Sequence, residues 1–325
     1  MTGVGVIGVG LMGRRHAENV ARTPDAKLVA VYDAVPATRE GVARELETAA
    51  CASVEDLLAR DDVQAVVVAS PAAWHEPHAL AALAAGKDVL VEKPIAASLD
   101  GADRVVAAAQ RSKLRLQVGF QRRYDAAYAE ARRIVASGEL GRALFYRGIN
   151  RDRDAPAGPP GSLAPANILV ESAIHDLDGG RWMLGAEPVA ARATLATLGA
   201  AAPGPDLALV WLRFASGAVA EIETFRGARY AYDIRSEIVC EEGAIVVGGF
   251  AQTMLTVLRA NECREDLYPG FLERYADAYR AEVRDFVAGV ADRRPVRVTA
   301  EDGRRALALA LAGARAAEIG GEVAV

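Results

Sequence analysis

The chain has 325 residues and only three cysteines, Cys51, Cys240 and Cys263, far apart and odd in number. That scarcity argues against a disulfide framework and a cysteine zinc site, so no metal and a reducing, cytoplasmic setting are expected. No apolar run approaches the roughly 18 residues that cross a bilayer. The first strand signal starts at Gly3, so no secretory leader is expected. Basic charge is not in excess: 38 Lys and Arg stand against 43 Asp and Glu, for a net charge of −5. The two signs are interspersed, which leaves no nucleic-acid footprint. There is no internal repeat. What remains is the composition of an ordinary globular enzyme, on a chain longer than one hydrophobic core usually serves. Two domains are expected, 1–120 and 121–325, with the last helices free to pack back on the first.

Residues 1–120 alternate strand and helix signals. "GVGVI", "KLVAVYD", "AVVVAS", "DVLVEK" and "LRLQVGF" read as strands. Helices are expected between them at 11–22, 36–46, in "EPHALAALAAG" closed by Gly86, and at 98–112 with Ser98 as N-cap. Near-continuous aliphatic strands separated by helices predict an α/β domain, a doubly wound parallel sheet of Rossmann type. Beyond 121 the pattern changes. A helix is expected near 124–137, a strand at "ALFYRGIN", a Pro/Gly-rich loop at "APAGPPGSLAP" and a helix at 172–184. Extended segments follow near 187–198, 207–214, 218–225, 230–240 and 243–248, then helices near 271–290 and 300–318. The second domain is therefore expected to be α+β on an open, mainly antiparallel sheet. In that sheet "LALVWLRF" and "AVAEIETF" are expected to present apolar side chains to a covering element.

Three stretches carry chemistry. The first is "GVGLMG". Gly8, Gly10 and Gly13 follow a strand and open a helix, and Asp33 ends the next strand 20 residues after Gly13. In that context Gly8, Gly10, Leu11, Met12 and Gly13 bring backbone against a pyrophosphate at a helix N-terminus, and Asp33 accepts from the adenosine ribose. A carboxylate there repels a 2′-phosphate, so NAD is expected rather than NADP. A bare turn without ligand is the bland alternative. His16, on the following helix, reads as a surface or packing residue.

The second stretch is "VLVEKPIA". Glu92 and Lys93 stand at the end of a buried parallel strand, where an open α/β sheet meets its ligands. The third is "ESAIHDLDGGRW". Helical spacing brings Glu171, His175, Asp178 and Trp182 within about 60° on one face, with Ile174 and Leu177 packing beside it. A histidine flanked by carboxylates suits a general base and equally suits a satisfied buried salt-bridge network.

Taken together, the glycine loop, "EKP" at 92–94 and "IHDLD" at 174–178 resemble the glucose–fructose oxidoreductase / inositol dehydrogenase family over essentially the whole chain. "GFQRRYDAAY", "RYAYDIRSEIVCEEG" and "FLERYADAY" resemble its inositol 2-dehydrogenase branch. The resemblance implies an NAD-dependent oxidoreductase moving a hydride between a ring hydroxyl or ketone of a cyclitol or sugar and the nicotinamide. It implies His175 as the base, Lys93 as hydrogen-bond donor to the reacting oxygen and Glu171 as the third member of a polar triad. Asp178 would grip a neighbouring hydroxyl. Arg122, Asn150, Tyr232, Phe271 and Tyr279 would line the pocket. Ser70 and His75 would border the cofactor beside Glu92 and Lys93, with His78 structural. A homodimer or homotetramer through the C-terminal sheet is implied as well.

The chain departs from the branch at Glu171 (usually Asp), Phe271 (Trp), Asn150 (His) and Ala72 (Asn), and "PANILVE" lacks the glycines that often precede the helix. These differences leave open myo-inositol, a keto- or amino-inositol, and a free or nucleotide-linked hexose. Two other readings compete: a reductase of a modified keto-sugar or amino-cyclitol, and a nicotinamide-binding regulatory subunit.

Overall fold

A computed structural model of the protein describes residues 1–154, 167–199 and 204–325. It divides into two compact units, Met1–Tyr124 with Asp277–Leu307, and Asp125–Ala276 with Ala308–Val325.

The first unit opens with β1 (Thr2–Ile7), α1 (Leu11–Ala21), β2 (Ala26–Tyr32), α2 (Pro36–Glu45), β3 (Ala49–Ala50), α3 (Val54–Leu58) and β4 (Ala65–Val68). It continues with α4 (His75–Ala84), β5 (Asp88–Glu92), α5 (Leu99–Ser112) and β6 (Leu116–Gly119). The strands form one parallel sheet in the order β3-β2-β1-β4-β5-β6, with a crossover at β1. β1, β4 and β5 are buried along their whole length, so each needs apolar side chains on both faces. The short β3 and α3 had no signal long enough to be read. Ser98 caps α5 as expected, its hydroxyl accepting from Gly101 N at 3.1 Å.

The second unit carries α6 (Ala126–Ser137), β7 (Ala143–Asp152), α7 (Ile174–Leu184), β8 (Pro188–Ala196), β9 (Leu207–Phe214) and β10 (Val219–Arg226). After these come β11 (Asp233–Cys240), β12 (Ala244–Gly249), β13 (Ala251–Arg259), β14 (Glu262–Leu267) and α8 (Phe271–Arg274). The chain ends with α9 (Ala276–Asp292), α10 (Ala300–Ile319) and β15 (Val323–Ala324).

α9 belongs mainly to the first unit. Its Val283, Phe286 and Val287 join Val4, Val6, Ala17, Val20, Val31 and Leu90 in one buried cluster that α1 and α2 also line. Burying three such side chains is worth on the order of 5–9 kcal/mol, enough to commit a late helix to an early sheet.

The sheet of the second unit runs β12-β11-β7-β10-β9-β8-β15. The expected meander is interrupted at one place: β7 lies between β11 and β10 and pairs parallel with β10, while its other neighbour is antiparallel. Period-2 burial sorts the faces. Ala208, Val210, Leu212, Phe214, Ala220 and Ile222 are buried on one side. The other side is polar. It carries Arg147–Glu221, Arg151–Glu223 and Arg213–Glu322 ion pairs around a half-exposed Trp211. The hairpin β13–β14, unread in the sequence, is exposed throughout and presents Met254, Leu255 and Leu258. The Pro/Gly loop at 155–165 lies outside the described residues. No helix among the described residues is long and apolar enough to cross a membrane.

Candidate active site

The glycine loop is built for close approach. Gly8 has φ +83°, and a Cβ there would lie 2.5 Å from Ser70 N. A Cβ on Gly13 would collide with the Gly8 carbonyl oxygen. Gly10 is different, with nothing within 4 Å of its Cβ position. The first two glycines are fixed by the protein's own packing, and the third keeps a space open. That space faces the start of α1, which has no side-chain cap and no acidic residue in its first turn. Leu11 beside it is 65% exposed. Bare N–H groups at the positive end of a helix suit a pyrophosphate.

Asp33 ties this loop to the end of β2. Its two carboxylate oxygens accept from Val9 N and Val35 N, each at 2.9 Å. Two backbone bonds fix the carboxylate and leave lone pairs for ribose hydroxyls. Arg39 donates to the Asp33 carbonyl at 3.2 Å, so a cation stands beside the position as well. These residues fit a dinucleotide.

At the ends of β4 and β5 the side chains interlock. His75 places its two ring nitrogens 2.7 Å from the Pro94 and Ser70 carbonyl oxygens, tying the two loops together. His78 bonds the Ser70 hydroxyl at 3.0 Å and stacks on Trp74. Burial first, then the charge of His75, pulls the His78 ring below its ordinary range.

Glu92 is buried, and both its oxygens are engaged inside the unit. Oε1 meets His16 Nε2 at 2.7 Å, and Oε2 accepts from the Lys93 backbone N–H at 3.2 Å. Its carboxylate is thus held by His16 and by the Lys93 backbone. His16, expected at the surface or in packing, is fully buried and is the partner of Glu92. Burial alone would raise Glu92. The hydrogen bond from His16 and the charges of His16, Lys93 and His75 outweigh burial and hold the carboxyl below the usual range.

In the second unit the expected helix at 172–184 begins differently. Leu169–Ala173 form one wide π turn, and α7 follows from Ile174. Such bulges recur where a helix presents functional groups. Arg226 of β10 staples this turn, donating to Ser172 Oγ at 3.0 Å and Asn167 Oδ1 at 3.0 Å. Glu171 is exposed, accepts from Asn167 Nδ2 at 2.9 Å and lies 3.8 Å from Arg226. Below α7 runs a buried polar chain. Tyr128 and Tyr146 hydroxyls meet Ser236 Oγ at 2.9 and 3.0 Å, and Tyr146 donates to Asp176 Oδ1 at 3.3 Å. Gly148 and Gly179 make room for it, since a Cβ on either would fall within 2.7 Å of Asp176 or Tyr146. This chain holds the helix that carries His175. Ile174 and Leu177 are fully buried, as the spacing required.

The remaining candidates fall in two groups. In the first unit, Arg122 is buried in a 3-10 turn after β6, and Tyr279 of α9 meets the His16 ring edge-on at 6.0 Å. In the second, Tyr232 and Phe271 come together at 6.4 Å, joined by Tyr275. Asn150 is buried and donates to the Ser172 carbonyl at 3.1 Å, so its amide holds the π turn. Asp178 is buried and paired with Arg181 at 3.2 Å. The reading of the sequence missed His16 as a partner of Glu92, and it missed Tyr146, Ser236 and Arg226. None lies in a motif, and only the fold joins them.

Two family models match the chain. Residues 2–120 match the oxidoreductase family with an NAD-binding Rossmann fold, and residues 128–246 match the GFO/IDH/MocA C-terminal domain. The chain belongs to the GFO/IDH/MocA oxidoreductase family. Its N-terminal sheet is an NAD-binding Rossmann fold. A similar protein is inositol 2-dehydrogenase 2 of Saccharopolyspora erythraea, 38% identical over 94% of this chain and 90% of that protein. Among solved structures, a myo-inositol dehydrogenase of Corynebacterium glutamicum superposes with TM-score 0.93 at 30% identity, covering 100% of this chain and 99% of that one. The myo-inositol dehydrogenase of Lactobacillus casei, in complex with NAD(H) and myo-inositol, superposes with TM-score 0.93 at 27% identity, covering 100% and 97%.

Proposed function

We propose that the protein is an NAD-dependent dehydrogenase that oxidises a ring hydroxyl of a cyclitol, with an inositol as substrate. The observation that carries this is the glycine cradle with its fixed Asp33, together with Lys93 directly after the end of β5. Relatives named as inositol dehydrogenases support the cyclitol over the keto-sugar reductase and regulatory-subunit readings. Bound NAD supplies the hydride acceptor. Gly8, Gly10, Leu11, Met12 and Gly13 hold its pyrophosphate and Asp33 its ribose, with Ser70 and His75 at its border.

The chain's own residues do the rest. His175 takes the proton of the reacting hydroxyl. Lys93 hydrogen-bonds the same oxygen, and its charge stabilises the alkoxide as it develops. Glu171 stands one turn before His175 as the third polar group. Asp178 grips a neighbouring hydroxyl, and Arg122, Asn150, Tyr232, Phe271 and Tyr279 line the pocket. Residues 1–120 serve NAD, and 121–325 serve substrate and assembly. Copies of the chain associate through the C-terminal sheet, whose half-exposed Trp211 face supports the reading. Three free cysteines suit a reducing cytoplasm.

Lys93→Met and His175→Ala test the assignment. Each is expected to lower turnover by about 10²–10⁴-fold while NADH binding, followed by fluorescence, stays within about threefold. A folded variant that turns over normally would remove that residue from the mechanism.

A further inference from the structure

Glu92 is a buried carboxylate held below its ordinary range, and such a group needs a reason to be inside a protein. Its surroundings supply one. It accepts from the backbone N–H of Lys93 with one oxygen and meets His16 with the other. His16 Nδ1 is buried without a hydrogen-bond partner, and Nε2 is the nitrogen that donates to the Glu92 carboxylate. His16 lies on α1, the helix whose start forms the glycine loop. Room for the carboxylate comes from Gly119 on β6, where a Cβ would stand 3.2 Å from the carboxyl carbon. The titratable groups that act on Glu92 come from several elements: His16 from α1, His75 from α4, Lys93 beyond β5, and Glu282 from α9. Glu282 is fully buried and neither of its oxygens has a partner. Burial and the nearby charge of Glu92 push its carboxyl well above the usual range. Of these two buried carboxyls, Glu92 is therefore the charged one, and it interacts electrostatically with Lys93.

We infer that His16 and Glu92 form a positioning pair for Lys93: His16 fixes the Glu92 carboxylate, and Glu92 both anchors the Lys93 backbone and keeps its side chain charged. The pair joins the helix of the cofactor loop to the residue assigned to the reacting oxygen. A purely structural pair would stabilise the unit and do nothing to Lys93. The inference rests on the proposed role of Lys93, and its test separates the two.

The experiment compares Glu92→Gln, His16→Leu and His16→Gln with the wild-type protein and Lys93→Met. The first readout needs no substrate. Acetylation of Lys93 is followed by mass spectrometry against pH, since only the neutral amine reacts. In Glu92→Gln the labelling midpoint is expected to fall by about one unit or more, because an opposite charge has gone from beside the ammonium. An unchanged midpoint in the folded variant would overturn the pair.

The second readout is turnover of myo-inositol with NAD. Glu92→Gln and His16→Leu are expected to lose at least about tenfold in kcat with little change in KM or NADH binding. The alkaline limb of Glu92→Gln is expected to move down with the labelling midpoint. His16→Gln, whose amide nitrogen can replace Nε2, is expected to recover most of the kcat lost in His16→Leu. A lowered melting temperature with wild-type kcat and pH profile would make the pair structural only. If Lys93→Met turns over normally, the role of Lys93 fails and the pair's purpose fails with it. If Lys93→Met is inactive and Glu92→Gln is not, the pair alone is wrong. Should His16→Leu not fold, the other two variants still decide.

Discussion

The two sheets solve different problems. The parallel sheet is buried on both faces, so its strands are short valine-rich apolar runs, and polar residues appear at strand ends. Asp33, Ser70, Glu92 and Lys93 all stand at such ends. The mixed sheet is buried on one face only. Its strands alternate, and polar residues such as Asn150, Thr224 and Ser236 sit within them, inside the protein. Function in the first is marked by position along the strand. In the second it is marked by which face a residue takes and what lies across from it.

That contrast can be broken or sharpened by substitution. The largest effect is expected within the glycine loop itself. Gly13→Ala puts a Cβ against the Gly8 carbonyl and is expected to lower stability by about 1–3 kcal/mol or more, seen in urea unfolding. Gly10→Ala meets nothing in the protein, so its melting temperature is expected to hold while NADH binding weakens by about tenfold or more. Equal behaviour of the two would refute the distinction between a packing glycine and a ligand glycine.

Asp33→Ser is expected next. With the carboxylate gone and Arg39 already beside it, the preference for NAD over NADP should narrow by roughly 10–100-fold in kcat/KM. An unchanged ratio would place the ribose elsewhere. Glu282→Gln follows. A carboxyl raised in the folded state contributes its full stability below its unfolded value of about 4.3, and that stability is lost as pH rises. The amide removes the penalty. The melting temperature is therefore expected to rise by a few degrees near pH 8 and to change little near pH 4, by calorimetry. A rise confined to low pH would mean that Glu282 is ionised. The smallest effect is on the open face of the mixed sheet. Arg147→Ala breaks an exposed pair with Glu221 and should cost about 0.5 kcal/mol or less in monomer stability.

Legibility followed the same contrast. The parallel sheet, the glycine loop and the Ser98 cap were readable because local rules dictate them. β3 and α3 were too short to show a period. The π turn at Leu169–Ala173 was invisible, because a single added residue leaves the apolar spacing of Ile174 and Leu177 intact. In the mixed sheet six of the seven strands were readable, β7 to β12. The place of β7 beside β10 was not, because register between distant segments has no local signature. "LALVWLRF" alternates, so it buries Val210, Leu212 and Phe214 on one face and leaves Trp211 and Arg213 on the other. His16 could have been suspected from its place one turn after the glycine loop, but its bond to Glu92 spans 76 residues. A span of 90 residues hid the Tyr146–Ser236 link beneath the His175 helix.

The most direct test of the proposed chemistry is the appearance of NADH absorbance when the purified protein meets NAD and a panel of inositols and hexoses at about pH 9. Turnover with an inositol and NAD, and far less with NADP, is the expected result. A protein that binds NADH tightly yet oxidises no inositol in the panel would contradict a cyclitol dehydrogenase.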